Sequence, residues 1–395
     1  MTQSVTERAR KVTADIGDRI PDEESFTSPL HSTRTAAILG IALGIAFSIC
    51  FLTGIVSHLH QNPVSWLPLP SRPAGMYRVS QSLHIATGIF SIPLLLAKLW
   101  TVYPFLWKRP VVGSVAHFIE RVSLIPLVGG SLFMLFSGAA NIVQWYTPMD
   151  FYFTSGHYWG AWITMGGLVI HIGAKASIAK LAISRQAPDL DLPSTGGLDR
   201  RGFLGTIFGT AGVLTLATAG QTVWPLRHVS VLAPRRPDIG PQGHPINKTF
   251  AESAIKPEAL TEENYRLVIG GAAPRGFSLT LAELRAMPQH ETELPIQCVE
   301  GWSYSARWKG VRLSDLLDRA GVDPDASIRV DSIESNSLYG SSPLNSDQAR
   351  DGDTILALEI DGEPLAPDHG YPVRLIAPNR PGVQQTKWLG TVFVL

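Results

Sequence analysis

The sequence has few cysteines, few charges and no basic stripe. Among its 395 residues only Cys50 and Cys298 are cysteines. Cys50 lies in an apolar run that reads as membrane, so a disulfide to Cys298 is not expected. Two cysteines also exclude a disulfide framework and a cysteine-based zinc site. Charged residues make up 17% of the chain, and Lys plus Arg balance Asp plus Glu to a net charge of zero. With no Lys/Arg-rich stripe, nucleic acid is not an expected partner. There is no GxGxxG, no P-loop and no G-x-S-x-G, so nucleotide binding and serine hydrolysis lack support. Residues 1–34 are polar and charged, and no apolar signal-peptide segment is expected there.

What is present in place of charge is apolar length. Mean hydropathy is positive, which suggests membrane segments. Four apolar stretches, residues 35–57, 83–105, 122–143 and 158–181, each suit a membrane helix of ~20 residues. A weaker fifth stretch, rich in Gly, Ala and Thr, spans residues 203–223. Arg8, Arg10, Lys11, Arg19 and Arg34 precede the first stretch. Lys108, Arg109 and Arg121 lie in the second connection, and Lys175, Lys180, Arg185, Arg200 and Arg201 in the fourth. The other connections hold only Arg72, Arg78 and Asp150. The positive-inside rule predicts a multi-pass protein of the cell membrane with a cytoplasmic N-terminus and an extracytoplasmic C-terminal domain. The run "LDRRGFLGTIFGTAGVLTLATAG" at 198–220 also resembles a twin-arginine export signal placed internally. A plain fifth helix with cytoplasmic arginines gives the same orientation.

The expected organisation is a cytoplasmic polar N-terminus over 1–34, a four-helix membrane domain over 35–185, a loop, twin-arginine-like motif and fifth helix over 186–224, and an extracytoplasmic domain over 225–395. The last begins with a Pro/Gly-rich wrap. It continues in short β-like runs, "YRLVIGG", "SIRVDSI", "TILALEI", "YPVRLIAP" and "WLGTVFVL", broken by turn signals such as "DGD" and "DGEP". Residues 281–284 and 313–317 read as short helices, so the domain is α+β.

Ionisable residues inside membrane spans are functional candidates. His84 opens the second helix, and His157 opens the fourth at the same expected depth. His171 follows His157 by 14 residues, almost four full turns, which places both imidazoles on one helix face ~21 Å apart along the axis. Such a pair suits two stacked haems, each iron needing a second ligand from another helix. His84 is the expected partner of His157. His117 is preferred to His31 as partner of His171. The segment 30–185 resembles the four-helix b-type cytochrome subunits of membrane-bound formate dehydrogenases and hydrogenases. That family's first-helix histidine falls near Gly40 here. The expected cofactor is therefore haem b, one or two per chain.

Cys298 sits where an apolar strand runs into a polar, aromatic loop. A thiolate there is a candidate nucleophile or soft metal ligand; no cysteine-protease signature accompanies it, and its chemistry alone suits an inert buried thiol equally well. The wider run "CVEGWSYSARWKGVRLSDLL" resembles the central signature of the sulfite-oxidase-fold molybdoenzymes, most closely the bacterial periplasmic methionine sulfoxide reductase catalytic subunit. The downstream run "DHGYPVRLIAPNRPGVQQTKWLG" resembles that family's cofactor-binding end. The resemblance implies that Cys298 ligates molybdenum beside the dithiolene of one molybdopterin and is the catalytic centre. It places His369 against the pterin and Arg374 at the cofactor's phosphate end, with Gln385, Thr386 and Lys387 as a cradle for the same anion. Ser332 takes the place of a hydroxyl facing the cofactor, and Asn247, Phe250 and Ala251 belong to the wrap that covers it. Sulfite oxidases follow the cysteine with arginines, whereas here Glu300 follows; a carboxylate near the metal is expected to repel sulfite.

Together these readings predict a membrane-bound molybdopterin oxidoreductase: a four-helix haem bundle with a fifth helix, fused to a sulfite-oxidase-fold domain. It is expected to exchange electrons with the quinone pool or another membrane donor and to reduce an S-oxide such as methionine sulfoxide. The alternatives are a sulfite-type dehydrogenase delivering electrons inward, and a haem-free membrane-anchored sensor.

Overall fold

A computed structural model describes residues 26, 28–106, 113–184, 198–234, 239–335 and 337–395. Most of the polar N-terminus, and Lys108, Arg109 and Arg185, lie outside the described residues. The chain forms two compact units. One holds the described parts of Met1–Ser48, Gly88–Gly138 and Phe151–Leu214; the other holds Ile49–Thr87, Ala139–Asp150 and Thr215–Leu395.

Among the described residues five helices are long and apolar enough to cross a membrane. They comprise α1 (Thr33–Gln61), α2 (Met76–Val102), the pair α3 (Val115–Leu124) and α4 (Gly130–Ile142), α5 (Phe153–Ile183) and α6 (Arg200–Thr218). The first, second and fourth outrun their apolar stretches by several residues, because polar flanks carry on the same backbone ladder. The third span is not one regular helix. A π-turn over Ile125–Gly129 joins α3 to α4. Pro126 lies within it and has no N–H to give the ladder. Arg200 and Arg201 form the first turn of α6. In the first unit Leu43, Leu94, Leu95 and Ala211 pack as a buried cluster joining α1, α2 and α6.

The second unit is built on two five-stranded sheets. The first has the order β2 (Phe277–Leu279), β1 (Leu267–Gly271), β10 (Leu389–Val394), β5 (Ile328–Ser332), β6 (Ser341–Leu344), with β1 and β10 parallel. The second has β3 (His290–Gln297), β4 (Ser303–Arg312), β7 (Ile355–Ile360) and β8 (Glu363–Pro364) in order, with β9 (Arg374–Ile376) also paired to β7. β7 reads "ILALEI", with five of its six residues buried. A strand flanked on both edges and covered on both faces needs such a run. All five β-like runs of the sequence become strands. β2, β4 and β6 carry more polar residues and give no such signal.

The ends of α1 and α2 that belong to this unit are clamped to it through their connection. Asn379 accepts from Tyr77 N (2.9 Å), donates to Pro70 O (2.7 Å), and lies 3.3 Å from His60 Nε2. Its backbone N–H donates to Ala74 O. Arg72 forks onto Asp351, 2.8 and 2.7 Å, and also reaches Asp353. Asp347 accepts from Ser71 N at 2.6 Å, and Asn345 donates to Leu69 O at 2.9 Å.

Candidate active site

Cys298 directly follows β3 and is 1% exposed. Its N–H donates to Trp302 O (2.9 Å), and Gly301 N–H donates back to Cys298 O (3.2 Å). The turn closes because Gly301 takes φ +92, a region where a side chain is disfavoured. The carboxylate of Glu300 braces this turn: Oε2 accepts from Trp302 Nε1 (2.9 Å) and Oε1 from Gln144 Nε2 (2.8 Å). Both oxygens have local N–H partners, which weakens the repulsion of sulfite that the sequence suggested.

Around Cys298 the fold gathers buried cations. Lys387 and Tyr304 each lie within electrostatic range of the thiol. Arg374, at the start of β9, is 3% exposed; Nη1 donates to His369 O (3.2 Å) and Nε has no partner. Its guanidinium stands 5.6 Å from the centre of the Trp308 ring. No ion pair to Arg374, Lys387 or Arg380 occurs among the described residues. Burial, with Arg374 nearby, pushes the Lys387 amine down to about 7, and burial lowers the Arg374 and Arg380 guanidinium groups as well. His369 Nε2 donates to Pro241 O (2.8 Å), which leaves Nδ1 as a buried acceptor without a partner. Burial, then Arg374, holds this imidazole down at about 4, so it is neutral at pH 7.

The wrap reaches the same place. Lys387 Nζ donates to Lys248 O (2.8 Å), next to Asn247. Phe250 N–H donates to Asp368 (2.7 Å), and its ring lies against Trp388. Ala251 is exposed at the start of a 3-10 turn. The structure thus brings Cys298, His369, Arg374 and Lys387 into one cluster, with Asn247 and Phe250 at its edge. Ser332, Gln385 and Thr386 have other partners. Ser332 Oγ donates to Lys387 O (2.8 Å), the Gln385 amide pairs with both backbone groups of Ala377, and Thr386 Oγ1 bonds Ser342 Oγ (2.9 Å). These three side chains hold the Lys387 segment in place.

Sequence reasoning missed His244, Tyr304 and Arg380. His244 stacks on Tyr304 at 4.4 Å, and the Trp302 ring runs near-parallel to that tyrosine at 6.0 Å. Arg380 Nη1 donates to Gln348 (2.7 Å). The signal for His244 was its place three residues before Asn247.

Gly370 is the tightest point of the cluster. It has φ +104, and a Cβ there would lie 2.9 Å from Lys387 Cβ and 3.0 Å from its Cα. Gly370→Ala is expected to destabilise the protein by about 2 kcal/mol or more, through strain at positive φ and displacement of Lys387. Thermal unfolding together with metal content checks this; an unchanged midpoint with full metal would refute it.

The helix histidines are held in different ways. His84 Nδ1 lies 2.9 Å from Cys50 O and 3.2 Å from Thr53 Oγ1. In the other unit His157 Nδ1 lies 3.0 Å from Ser137 Oγ. A protein hydrogen bond at one ring nitrogen is also how metal-ligating histidines are oriented. His171 Nδ1 is buried without a partner. His117 meets donors at both nitrogens, Gly113 N–H at 3.1 Å and Arg121 Nε at 3.3 Å. In this conformation both ring nitrogens face protein N–H groups, which counts against His117 as a ligand. His31 Nδ1 lies 3.2 Å from Thr101 O, and its ring lies against Trp100.

A buried cysteine beside a buried lysine and arginine that form no ion pair among the described residues could hold a metal through its thiolate on an anionic organic cofactor. Residues 254–395 match the oxidoreductase molybdopterin binding domain. The C-terminal half of the chain therefore carries a molybdopterin-binding oxidoreductase domain, with sulfite oxidases among its relatives. The chain is 33% identical over 172 residues to mitochondrial sulfite oxidase of Mus musculus, covering 37% of this chain and 32% of that protein. It is 32% identical over 133 residues to the oxidoreductase YuiH of Bacillus subtilis, covering 33% and 65%. It is 29% identical over 150 residues to the protein-methionine-sulfoxide reductase subunit YedZ1 of Azospira oryzae, covering 38% and 55%. The chain spans about a third of the length of the mammalian sulfite oxidases it matches.

The residues present fit this cofactor. The unpartnered Arg374 Nε and the Lys387 amine suit its phosphate end. The unpartnered His369 Nδ1 suits a pterin N–H, and Cys298 suits the metal.

Proposed function

We propose that the protein is a membrane-bound molybdenum oxidoreductase that exchanges electrons between a haem b in its helices and a Mo-molybdopterin site at Cys298, reducing an S-oxide such as methionine sulfoxide. The observation that carries the reading is the cluster of buried cations around a buried cysteine. When bound, the molybdenum cofactor supplies two-electron oxygen-atom exchange. The chain's residues do the rest. Cys298 holds the metal, Arg374 and Lys387 neutralise the phosphate end, His369 orients the pterin, and the Trp302–Tyr304–His244 stack closes the site. The proposed topology keeps the N-terminus cytoplasmic and this domain outside, with a membrane quinol or similar donor supplying electrons.

His84 is the proposed haem ligand nearest to the cysteine turn in the chain's second unit. Ile85, the next residue after His84, reaches the cysteine turn: its terminal methyl lies 2.7 Å from the position of a Cβ on Gly301. A second haem at His171 is disfavoured. Lys98 Nζ lies 3.1 Å from the position of a Cβ on Gly40, an ammonium where a first-helix ligand would be needed. One haem per chain is the expected result of a pyridine haemochrome assay, and two would overturn this assignment.

The functional test is an anaerobic visible spectrum of the detergent-purified protein. Methionine sulfoxide added to the dithionite-reduced form is expected to reoxidise the haem. The second reading, sulfite oxidation, is favoured by the sulfite oxidase relatives and the cationic site. It predicts haem reduction when sulfite meets the oxidised form. Absence of a haem band would remove the electron-transfer half of the proposal.

A further inference from the structure

Gln81 and Thr222 each carry a buried side-chain oxygen that has no hydrogen-bond partner in the protein. Tyr77, Gln81 and Ile85 follow one another at four-residue steps and so share one face of α2. Tyr77 lies within electrostatic range of Cys298, and Ile85 packs against Gly301. Gln81 lies between them on the helix face that meets the 298–301 turn, and it is 5% exposed. Thr222 follows α6. Its Oγ1 lies 3.4 Å from the position of a Cβ on the same Gly301, and its carbonyl accepts from Ser82 Oγ on α2 (3.3 Å).

Three more buried polar atoms without partners extend this layer: Gln297 Oε1, Ser303 Oγ and Arg78 Nη2. Gln297 and Ser303 are cross-strand neighbours, and Arg78 Nη1 donates to Ser305 Oγ (2.9 Å). Arg78 and Ser305 are half-buried. The layer thus runs from partly exposed residues inward to the cysteine turn. Each buried polar atom left unmade costs about 1–3 kcal/mol. Protein interiors meet such groups with ordered water that makes about three hydrogen bonds. Five buried atoms of mixed donor and acceptor character, carried by α2, Thr222 and the strand ends that flank the cysteine turn, suit a file of waters.

We propose that this layer is the hydrated proton path of the active site, with Gln81 and Thr222 positioning its innermost water. The proposal rests on the functional reading only in requiring proton-coupled chemistry at Cys298. Sulfoxide reduction consumes one sulfoxide, two protons and two electrons, and yields one thioether and one water. The S–O bond breaks, sulfur gains two electrons supplied through the reduced haem, and oxygen leaves as water once two O–H bonds form. Both protons must reach a site whose cysteine is 1% exposed. Sulfite oxidation sends two protons along the same route outward.

The test is stopped-flow haem reoxidation of the full chain by methionine sulfoxide in light and heavy water, for wild type, Gln81→Leu, Thr222→Val and Thr222→Ser. Haem spectrum and molybdenum content verify that each variant folds. Gln81→Leu and Thr222→Val are expected to slow the substrate-saturated rate by about tenfold or more and to raise the solvent isotope effect, with KM unchanged. Thr222→Ser keeps the hydroxyl and is expected to stay near wild type. Unchanged rates, or a raised KM at an unchanged saturated rate, overturn the path. If wild type is not reoxidised, the sulfoxide reading fails, and the same variants are compared in sulfite-driven haem reduction, where the path predicts the same slowing. A crystal structure showing no ordered water between Gln81 and Thr222 overturns it whatever the substrate.

Discussion

Cys298→Ser is expected to lower turnover by at least about a thousandfold, roughly 4 kcal/mol in the barrier, while leaving the haem spectrum intact. Serine is nearly isosteric, and the turn is held by the backbone of Cys298, Gly301 and Trp302, so the fold has no reason to change. What changes is the donor. A thiolate is a soft ligand available near neutral pH, and a serine hydroxyl is neither soft nor ionised there. The measurement is methionine sulfoxide turnover beside a reduced-minus-oxidised spectrum. Loss of the haem band in this variant would contradict a division of labour between helices and domain.

Arg374→Met is expected to act with opposite signs on the loaded and the cofactor-free protein. In the wild-type domain Arg374 is 3% exposed, with no carboxylate paired to it among the described residues. A buried cation without an anion is a burden, and replacing it by an apolar side chain of similar volume is often neutral or stabilising by about 1–4 kcal/mol. The flat packing against Trp308 survives with Met. An anionic cofactor held there would lose a charge-assisted partner in a low-dielectric site, and its affinity is expected to fall by about a hundredfold, equivalent to about 3 kcal/mol. Two measurements separate the effects. Metal content per chain should collapse, and chemical denaturation of protein produced without molybdate should show an unchanged or raised midpoint. A lowered midpoint in the cofactor-free protein would make Arg374 a structural residue and would remove the main support for the phosphate site.

Much of the site was legible because its key groups sit in two short runs, 298–317 and 368–390. Strand "LPIQ" ends at a cysteine turn, and strand "RLI" begins at the buried arginine; both follow from alternation and turn residues. The parts that were not legible depend on partners distant in the chain. His60 and Asn379 are 319 positions apart, and no periodicity in either segment announces that they meet. The resemblance assigned Ser332, Gln385 and Thr386 to the cofactor, but their hydrogen bonds go to the protein itself, which only coordinates reveal. Hydropathy located the helices and could not show that Ile49–Thr87 folds with the C-terminal domain. Apolar length reports the medium a helix tolerates, not the neighbour it packs on. The interruption near Pro126 was masked for the same reason, since the apolar count there is uninterrupted.

The clamp between the α1–α2 connection and the C-terminal domain has a kinetic consequence. Many multidomain redox proteins swing a tethered domain between donor and acceptor, so the medium's friction sets their pace. Here His84 and Cys298 belong to one compact unit, tied by the Arg72 fork, the Asp347 and Asn345 bonds and the three-way grip of Asn379. Under the proposed function, an electron passing between a haem at His84 and a metal at Cys298 would need no rotational search. A more viscous solvent is then expected to leave its rate unchanged.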